Sequence, residues 1–350
     1  MTFVYTASLQ EGIQVARFSE EAGVLSAPSL AAPGDFFFLV RHPALRVLYA
    51  VCINSGRVKA YAIGAGGSLA LLSDVDSGGA APCHLVVDPA GGFLAVANYQ
   101  GGVVRFPLDA QGRIGAPTAT FQPEGSGPNL QRQNKPYPHG LAYDARHSLL
   151  HVADLGSDKI WALDTSQGGL NNRPSLAAQA APGAGPRHLA FSPDGQIALV
   201  ANELDNTLSL FTRSSESGAL ENRRDFSMLP TGFHGTTHAA EVVFHPTGRA
   251  CYATNRGHHS VVTFAVNVVE RSLQSPRWLQ EPDHANPEHV LCNGRGDWLA
   301  VAWRVSNRVT FHKINPSTLE PEPASASLTV SQPMCVLFIE DGEPDPPVGG

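Results

Sequence analysis

Short apolar runs rich in Val, Leu, Phe and Tyr alternate along this chain with turns of Gly, Asn, Asp and Pro. Runs of that length and composition, so bounded, predict β-strands, and no window sustains a helical period between capping residues. The runs come in groups of three, and the groups repeat. The copies read PCHLVVDPAGGFLAVANYQGGVVRF (82 to 106), YPHGLAYDARHSLLHVADLGSDKIWAL (137 to 163), GPRHLAFSPDGQIALVANELDNTLSLF (185 to 211), AEVVFHPTGRACYATNRGHHSVVTF (240 to 264) and PEHVLCNGRGDWLAVAWRVSNRVTFH (287 to 312). A looser copy, FFFLVRHPALRVLYAVCINSGRVKAY (36 to 61), opens the series. Aligned on the turn between the first two runs, Pro43, Pro89, Ala145, Pro193, Pro246 and Gly294 fall 46, 56, 48, 53 and 48 residues apart.

A repeat of that size cannot bury its apolar face alone and must stack on its neighbours. The Pro-x-Gly and Asp-Gly turns between the first two runs suit tight antiparallel connections. The variable stretch after the third run, such as LDAQGRIGAP or INPSTLEPEP, is expected to supply a fourth, outer strand. Four antiparallel strands per fifty-residue repeat describe the blade of a β-propeller. The ends of the chain complete the ring. Val336 to Ile339, after Gln332-Pro333-Met334-Cys335, reads as a first strand with nothing following it, while Phe3 to Ala7 and Ile13 to Phe18 read as a second and a third. An all-β, seven-bladed propeller results, closed by a blade of N- and C-terminal strands, which leaves no open sheet edge. Residues 1–340 are expected to form one domain, followed by a disordered tail at 341–350, DGEPDPPVGG.

Composition sharpens this picture. The 350 residues include 34 Gly and 27 Pro, as a fold of many tight turns requires. A net charge of −7 without a basic run argues against a nucleic-acid partner. No stretch is long enough to span a membrane, and the start MTFVYTASLQ has no charged segment leading an apolar one. The five cysteines stand singly at 52, 83, 251, 292 and 335, which fits reduced thiols in a cytoplasm. A monomer or weak homo-oligomer is expected, since a closed ring needs no partner. The polar loop at 121–136 is long enough to suggest a functional role.

The repeat also locates a candidate site. The start of each first strand and the end of each second strand lie on one face, around the central channel. The starts carry His84, His139, Arg187, His188, Glu241, Glu288 and His289; the ends carry Tyr99, Asp154, Glu203, Arg256 and Arg304. The opposite face offers turns such as those at Asp88 and Asp194, where a structural role is expected. Trp161, Phe211 and Phe264 occupy one third-strand position and read as core between blades. Asn98, Asn202 and Asn255 also share a repeat position, which points to turn stabilisation. Trp303 stands at that position in the sixth blade and is expected to wall the pocket. His258-His259 reads as a solvated turn, and the His234/His238 spacing, in a loop without a helix, does not amount to a metal site. No nucleophile elbow, phosphate-binding Gly-rich loop or zinc signature is present, and no cofactor or metal is expected. Ion pairs within blades, Arg187 with Glu203 and Arg256 with Glu241, fit the same residues without any catalytic role.

GAGPRHLAFSPDGQIALVANELDNT and AAEVVFHPTGRACYATNRG, with PCHLVVDPAGGFLAVANY and the Arg132-to-His139 stretch, resemble the signature segments of the seven-bladed lactonase family. That family includes propeller-type 6-phosphogluconolactonases and carboxymuconate cyclases. Departures lie on the same rim. Tyr137 stands where many members have a further His, and Glu288 and Arg304 replace common Arg and Gln partners. The resemblance implies His139, Arg187, Glu203 and Arg256 as the catalytic set, four positions that the rim reading reaches independently. Arg132, Arg304, His84, His188, Glu241 and His289 are the further candidates for substrate binding. Opening a lactone needs a base for water, a donor for the developing oxyanion and an acid for the leaving alkoxide. Glu203 or His139 would serve as acid and base if their surroundings bring their pKa values toward neutrality. Arg187 and Arg256 would hold a carboxylate or phosphate and stabilise the oxyanion. The leading expectation is hydrolysis of a small anionic sugar-acid lactone such as 6-phosphogluconolactone. A carboxymuconate-cyclase-type intramolecular lyase and a non-catalytic ligand-binding propeller are the alternatives.

Overall fold

The computed structural model of the chain describes residues 1–281 and 285–341. The tail expected at 341–350 therefore lies, beyond Asp341, outside the described residues. Seven antiparallel sheets are arranged in chain order around a channel. Blade 1 begins with the inner strand Phe36–Arg41, blade 2 with Ala80–Val87, blade 3 with Pro138–Asp144, blade 4 with Pro186–Phe191, blade 5 with Ala239–Phe244 and blade 6 with Pro287–Cys292. Blade 7 is built from both ends of the chain. Its inner strand Pro333–Glu340 pairs with Thr2–Ser8, placing Tyr5 opposite Leu337 and Phe3 opposite Ile339, and Gly12–Ser19 follows outside. The expected ring closure is thus present.

Each junction between neighbouring blades holds its own apolar cluster, seven among the described residues. Trp161 packs with Phe121 and Phe93 between blades 2 and 3. Phe211 lies between blades 3 and 4, and Phe264 between blades 4 and 5, as their shared repeat position predicts. The hydrophobic stabilisation of the ring is thereby interfacial, which is why a single repeat would not fold alone. The outer strands start later than the sequence suggests. LDAQGRIGAP and INPSTLEPEP each form a turn tied by one bridge, Leu108 to Ile114 and Ile314 to Pro321. The fourth strands follow them as Ala119–Phe121 and Ala326–Thr329. Asp88 and Asp194 sit at turns as expected, Asp88 Oδ1 accepting from the Phe93 amide at 2.6 Å and Asp194 Oδ1 from Ser192 Oγ at 2.5 Å.

One irregularity recurs in every blade. At the start of each inner strand the register slips against the second strand, so that one residue, or two in blade 5, is left without a partner. The unpartnered residues are Phe37, Cys83, His139, Arg187, Ala240 with Glu241, Glu288 and Met334. Such a β-bulge turns a side chain that would face a neighbouring blade toward the channel instead. A proline precedes the bulge in five blades, at 82, 138, 186, 287 and 333, where the ladder does not call on a backbone N–H.

Candidate active site

The bulges open a cavity of about 220 Å³ at the top of the channel. Five bulged residues, Phe37, Cys83, His139, Arg187 and Glu288, line it. Five more lining residues, Ile53, Tyr99, Glu203, Arg256 and Arg304, stand at or just beyond the ends of the second strands. Each follows the residue paired just before the bulge. Ala81 and Arg132 complete the lining. Blades 1, 2, 4 and 6 thus deliver one residue from a bulge and one from a strand end, blade 3 only His139 and blade 5 only Arg256, and most chemistry-bearing groups come from blades 3 to 6.

Arg132 is supplied by the long loop at 121–136. Gln133 anchors that loop: fully buried, it donates from Nε2 to the Leu155 carbonyl at 2.9 Å and to Asp158 Oδ1 at 2.6 Å. Its neighbour Arg132 is thereby directed at Glu203, with Nη2 to Oε1 at 2.5 Å. Lys135 lies 5.6 Å over the Tyr137 ring and is absent from the cavity lining. Tyr137 stacks on Tyr99 at 4.6 Å, forming an aromatic edge beside His139.

Two carboxylates organise the guanidinium groups. Glu203 Oε2 lies 2.8 Å from Arg256 Nη2 and 3.1 Å from Arg187 Nε. Glu288 Oε1 receives Arg187 Nη2 at 2.9 Å and Arg256 Nη1 at 3.3 Å. The Arg187–Glu203 pair expected within blade 4 is therefore one edge of a network that joins blades 4, 5 and 6. Arg256 does not pair with Glu241 as the simple reading of blade 5 suggests, because the bulge places Glu241 one residue deeper.

Burial alone would raise the Glu203 carboxyl, but Arg256, Arg187 and Arg132 outweigh it and hold the group at about 2. Glu203 is therefore held ionised among the three guanidinium groups. His139 is shifted well below the ordinary imidazole value, first by burial and then by the charges of Arg187, His188 and Arg256. It stands as a neutral imidazole whose buried Nδ1 has no hydrogen-bond partner among the described residues. Cys83, pushed up to about 12 mainly by burial, is a thiol and not a nucleophile.

Four of the expected substrate-binding residues, His84, His188, Glu241 and His289, do not line the cavity. They form a layer one residue further down the inner strands. His188 Nδ1 lies 2.8 Å from Glu241 Oε2, and His289 Nε2 lies 3.5 Å from the same oxygen. Their rings close the channel around Phe38, which stands 4.2 Å from the His84 ring and 5.4 Å from His289. Each is nearly inaccessible except His84, which is partly buried, and burial lowers all three imidazoles. Sequence reasoning placed two adjacent residues on one rim, whereas the bulge separates them into an upper and a lower layer.

Two further expectations change. Trp303 is fully buried and donates from Nε1 to Thr310 Oγ1 at 2.7 Å, so it belongs to the blade interior and does not wall the cavity. The asparagines at that repeat position behave as expected: Asn98 donates to the Ser77 carbonyl, Asn255 to the Met228 carbonyl and Asn202 to Thr207. His258 is buried against Phe233 and bonded to Ser260, not solvated. Of the remaining lining residues, Tyr99 and Glu288 were legible as rim positions without an assigned role, whereas Phe37, Ile53, Ala81 and Cys83 were not read as site residues. A proline just before the bulge marks two of these lining residues, Cys83 and Glu288, while Phe37 has Phe36 in that place.

Comparison with known proteins agrees with this architecture. The family profile described as "Lactonase, 7-bladed beta-propeller" matches residues 3–338. The chain belongs to the seven-bladed β-propeller lactonase family. A 6-phosphogluconolactonase of Bacillus subtilis (strain 168) is 30% identical over 343 residues, 96% of each chain. One from Erwinia tasmaniensis is 27% identical, covering 96% of this chain and 98% of its own. The solved periplasmic gluconolactonase of Pseudomonas aeruginosa superposes with a TM-score of 0.89, at 24% identity, over 98% of this chain and 100% of that one, which attests the fold. No helix among the described residues is long and apolar enough to cross a membrane.

Proposed function

We propose that this lactonase-family chain hydrolyses a sugar-acid lactone in the channel cavity, with 6-phosphogluconolactone as its leading substrate. The observation that carries the reading is the neutral imidazole of His139 in a cavity it shares with a carboxylate-anchored pair of guanidinium groups. The names of the relatives support the substrate class. In this reading His139 removes a proton from water as the water oxygen bonds to the lactone carbonyl carbon. The carbonyl oxygen becomes an oxyanion and meets Arg256, whose side chain is 20% exposed. The bond from that carbon to the ring oxygen then breaks, and the leaving alkoxide takes the proton back from His139. Glu203 and Glu288 hold the guanidinium groups in place before substrate arrives, so little reorganisation accompanies the charge development.

All five cysteines are free, which supports the cytoplasm as the site of action in this reading. The test is lactone disappearance above the spontaneous background near neutral pH. The panel holds 6-phosphogluconolactone, gluconolactone, an aldarate lactone and a carboxymuconolactone. Acceleration on a sugar lactone, lost in Glu203→Gln and Arg256→Ala, is the expected result. No acceleration on any sugar lactone would overturn it.

A further inference from the structure

The cations of the cavity fall into two kinds. Arg187 and Arg256 are committed. Arg187 Nη1 donates to the Ala240 carbonyl at 2.8 Å and Nη2 to Glu288 Oε1 at 2.9 Å, with Nε beside Glu203. Arg256 donates from Nη2 to the Ala239 carbonyl at 3.1 Å and faces both carboxylates. Two guanidinium groups against two carboxylates leave this floor without net charge.

Arg132 and Arg304 are different. Their side chains are 38% and 42% exposed. Arg132 uses a donor on Glu203 Oε1. The Arg304 guanidinium makes no hydrogen bond among the described residues; its Nη1 lies 4.0 Å from Glu288 Oε2, beyond hydrogen-bond distance. That carboxylate oxygen is itself buried and without a hydrogen-bond partner. Among the described residues, the cavity therefore has a neutral, acceptor-bearing floor and a mouth with two guanidinium groups in surplus.

We infer that the cavity reads its substrate by the position of charge: the uncharged, hydroxyl-bearing lactone ring lies against the floor, and a phosphate monoester on its far end is held at the mouth by Arg304 with Arg132. The inference rests on the proposed lactone hydrolysis and assigns Arg304 as the residue that decides for a phosphorylated substrate. A phosphate monoester carries close to two negative charges near neutral pH and matches a surplus of two guanidinium groups. The planar guanidinium fork donates in pairs to phosphate oxygens, and free donors are what Arg304 has to offer. Glu288 works in the opposite sense. Its carboxylate repels an anion that would sink to the floor and offers acceptor oxygen to a hydroxyl.

The experiment compares kcat/KM for 6-phosphogluconolactone and gluconolactone in wild type, Arg304→Met and Arg304→Lys, with folding checked by circular dichroism. The ratio of phosphorylated to unphosphorylated substrate is expected to fall about tenfold or more in Arg304→Met, the worth of a charge-assisted hydrogen bond. Arg304→Lys recovers part of it. A parallel calorimetric titration with 6-phosphogluconate and gluconate needs no turnover, and Arg304→Met should weaken only the former by a similar factor. Equal losses on both lactones, or an unchanged ratio, would overturn the phosphate subsite. If wild type turns over no lactone, the hydrolase reading falls, and the titration alone then decides whether Arg304 recognises phosphate.

Discussion

The channel carries two layers of side chains that come from adjacent residues of the same inner strands, yet their chemistry is opposite. Arg187 in the upper layer is surrounded by two carboxylates and a backbone carbonyl. His188, the next residue, is held neutral because burial and the neighbouring guanidinium charges outweigh its carboxylate partner. Glu203 above is held at about 2, while Glu241 below is raised, chiefly by burial. The difference teaches that the fold offers equivalent positions to both layers. Compensation by opposite charge, and an opening to solvent, set the ion-bearing layer apart from the one below it.

That contrast predicts different consequences of substitution. His139→Asn or Glu203→Gln should lower kcat/KM by about a hundredfold or more, the range for losing a positioned base or a charge-orienting group. Glu241→Gln should cost less than tenfold in the same assay. A comparable loss at Glu241 would place the lower layer in the reaction and dissolve the distinction. Stability should separate the layers the other way. Glu241→Ala leaves a buried imidazole nitrogen without its carboxylate partner, and about 1–3 kcal/mol of unfolding free energy should be lost in denaturant titration, as for other buried polar groups stripped of a hydrogen-bond partner.

Acid sensitivity follows from the lower layer as well. His289 is lowered to about 4, and His84 and His188 lie well below the usual imidazole value. Each takes up a proton in the unfolded chain before it does so in the folded one. Their contribution to stability is therefore complete above about pH 6.5 and lost as pH falls toward the folded values. Melting temperature should drop between pH 6.5 and 4, and His289→Asn should flatten that slope. Glu203, whose folded value is depressed, adds a loss only below about pH 4.5. The smallest expected effect concerns the mouth. Raising ionic strength should increase KM for 6-phosphogluconolactone several-fold, because Arg304 and Arg132 are partly exposed, and should leave gluconolactone nearly unaffected. Equal salt dependence for both substrates would remove the division between mouth and floor.

Much of this was legible in the sequence. The repeat spacing and the orphan strands at 3–7 and 336–339 specify the ring and its closure, because strand periodicity and turn residues are local signals. His139, Arg187, Glu203, Arg256 and Arg304 were legible as rim residues and Arg132 as a binding candidate in the long loop, and the cavity gathers all six. What stayed hidden was depth. A bulge is a mismatch between two strands, so Arg187 and His188 look equivalent until their partners Pro186–Asn202 and His188–Ala201 are known. Pairing across blades was hidden for a similar reason. Nothing local to Pro287-Glu288-His289 announces that Glu288 meets Arg187, 101 residues away. Trp303 was misjudged because its repeat position faces the blade interior, where asparagines elsewhere donate to a carbonyl or a hydroxyl.

A crystal structure with bound 6-phosphogluconate, the product of the proposed reaction, tests the central claim most directly. The account predicts the phosphate within hydrogen-bond distance of Arg304 and Arg132, with the new carboxylate beside His139 and Arg256. Product bound on the opposite face of the propeller, or with its phosphate against Glu288 at the floor, would contradict it.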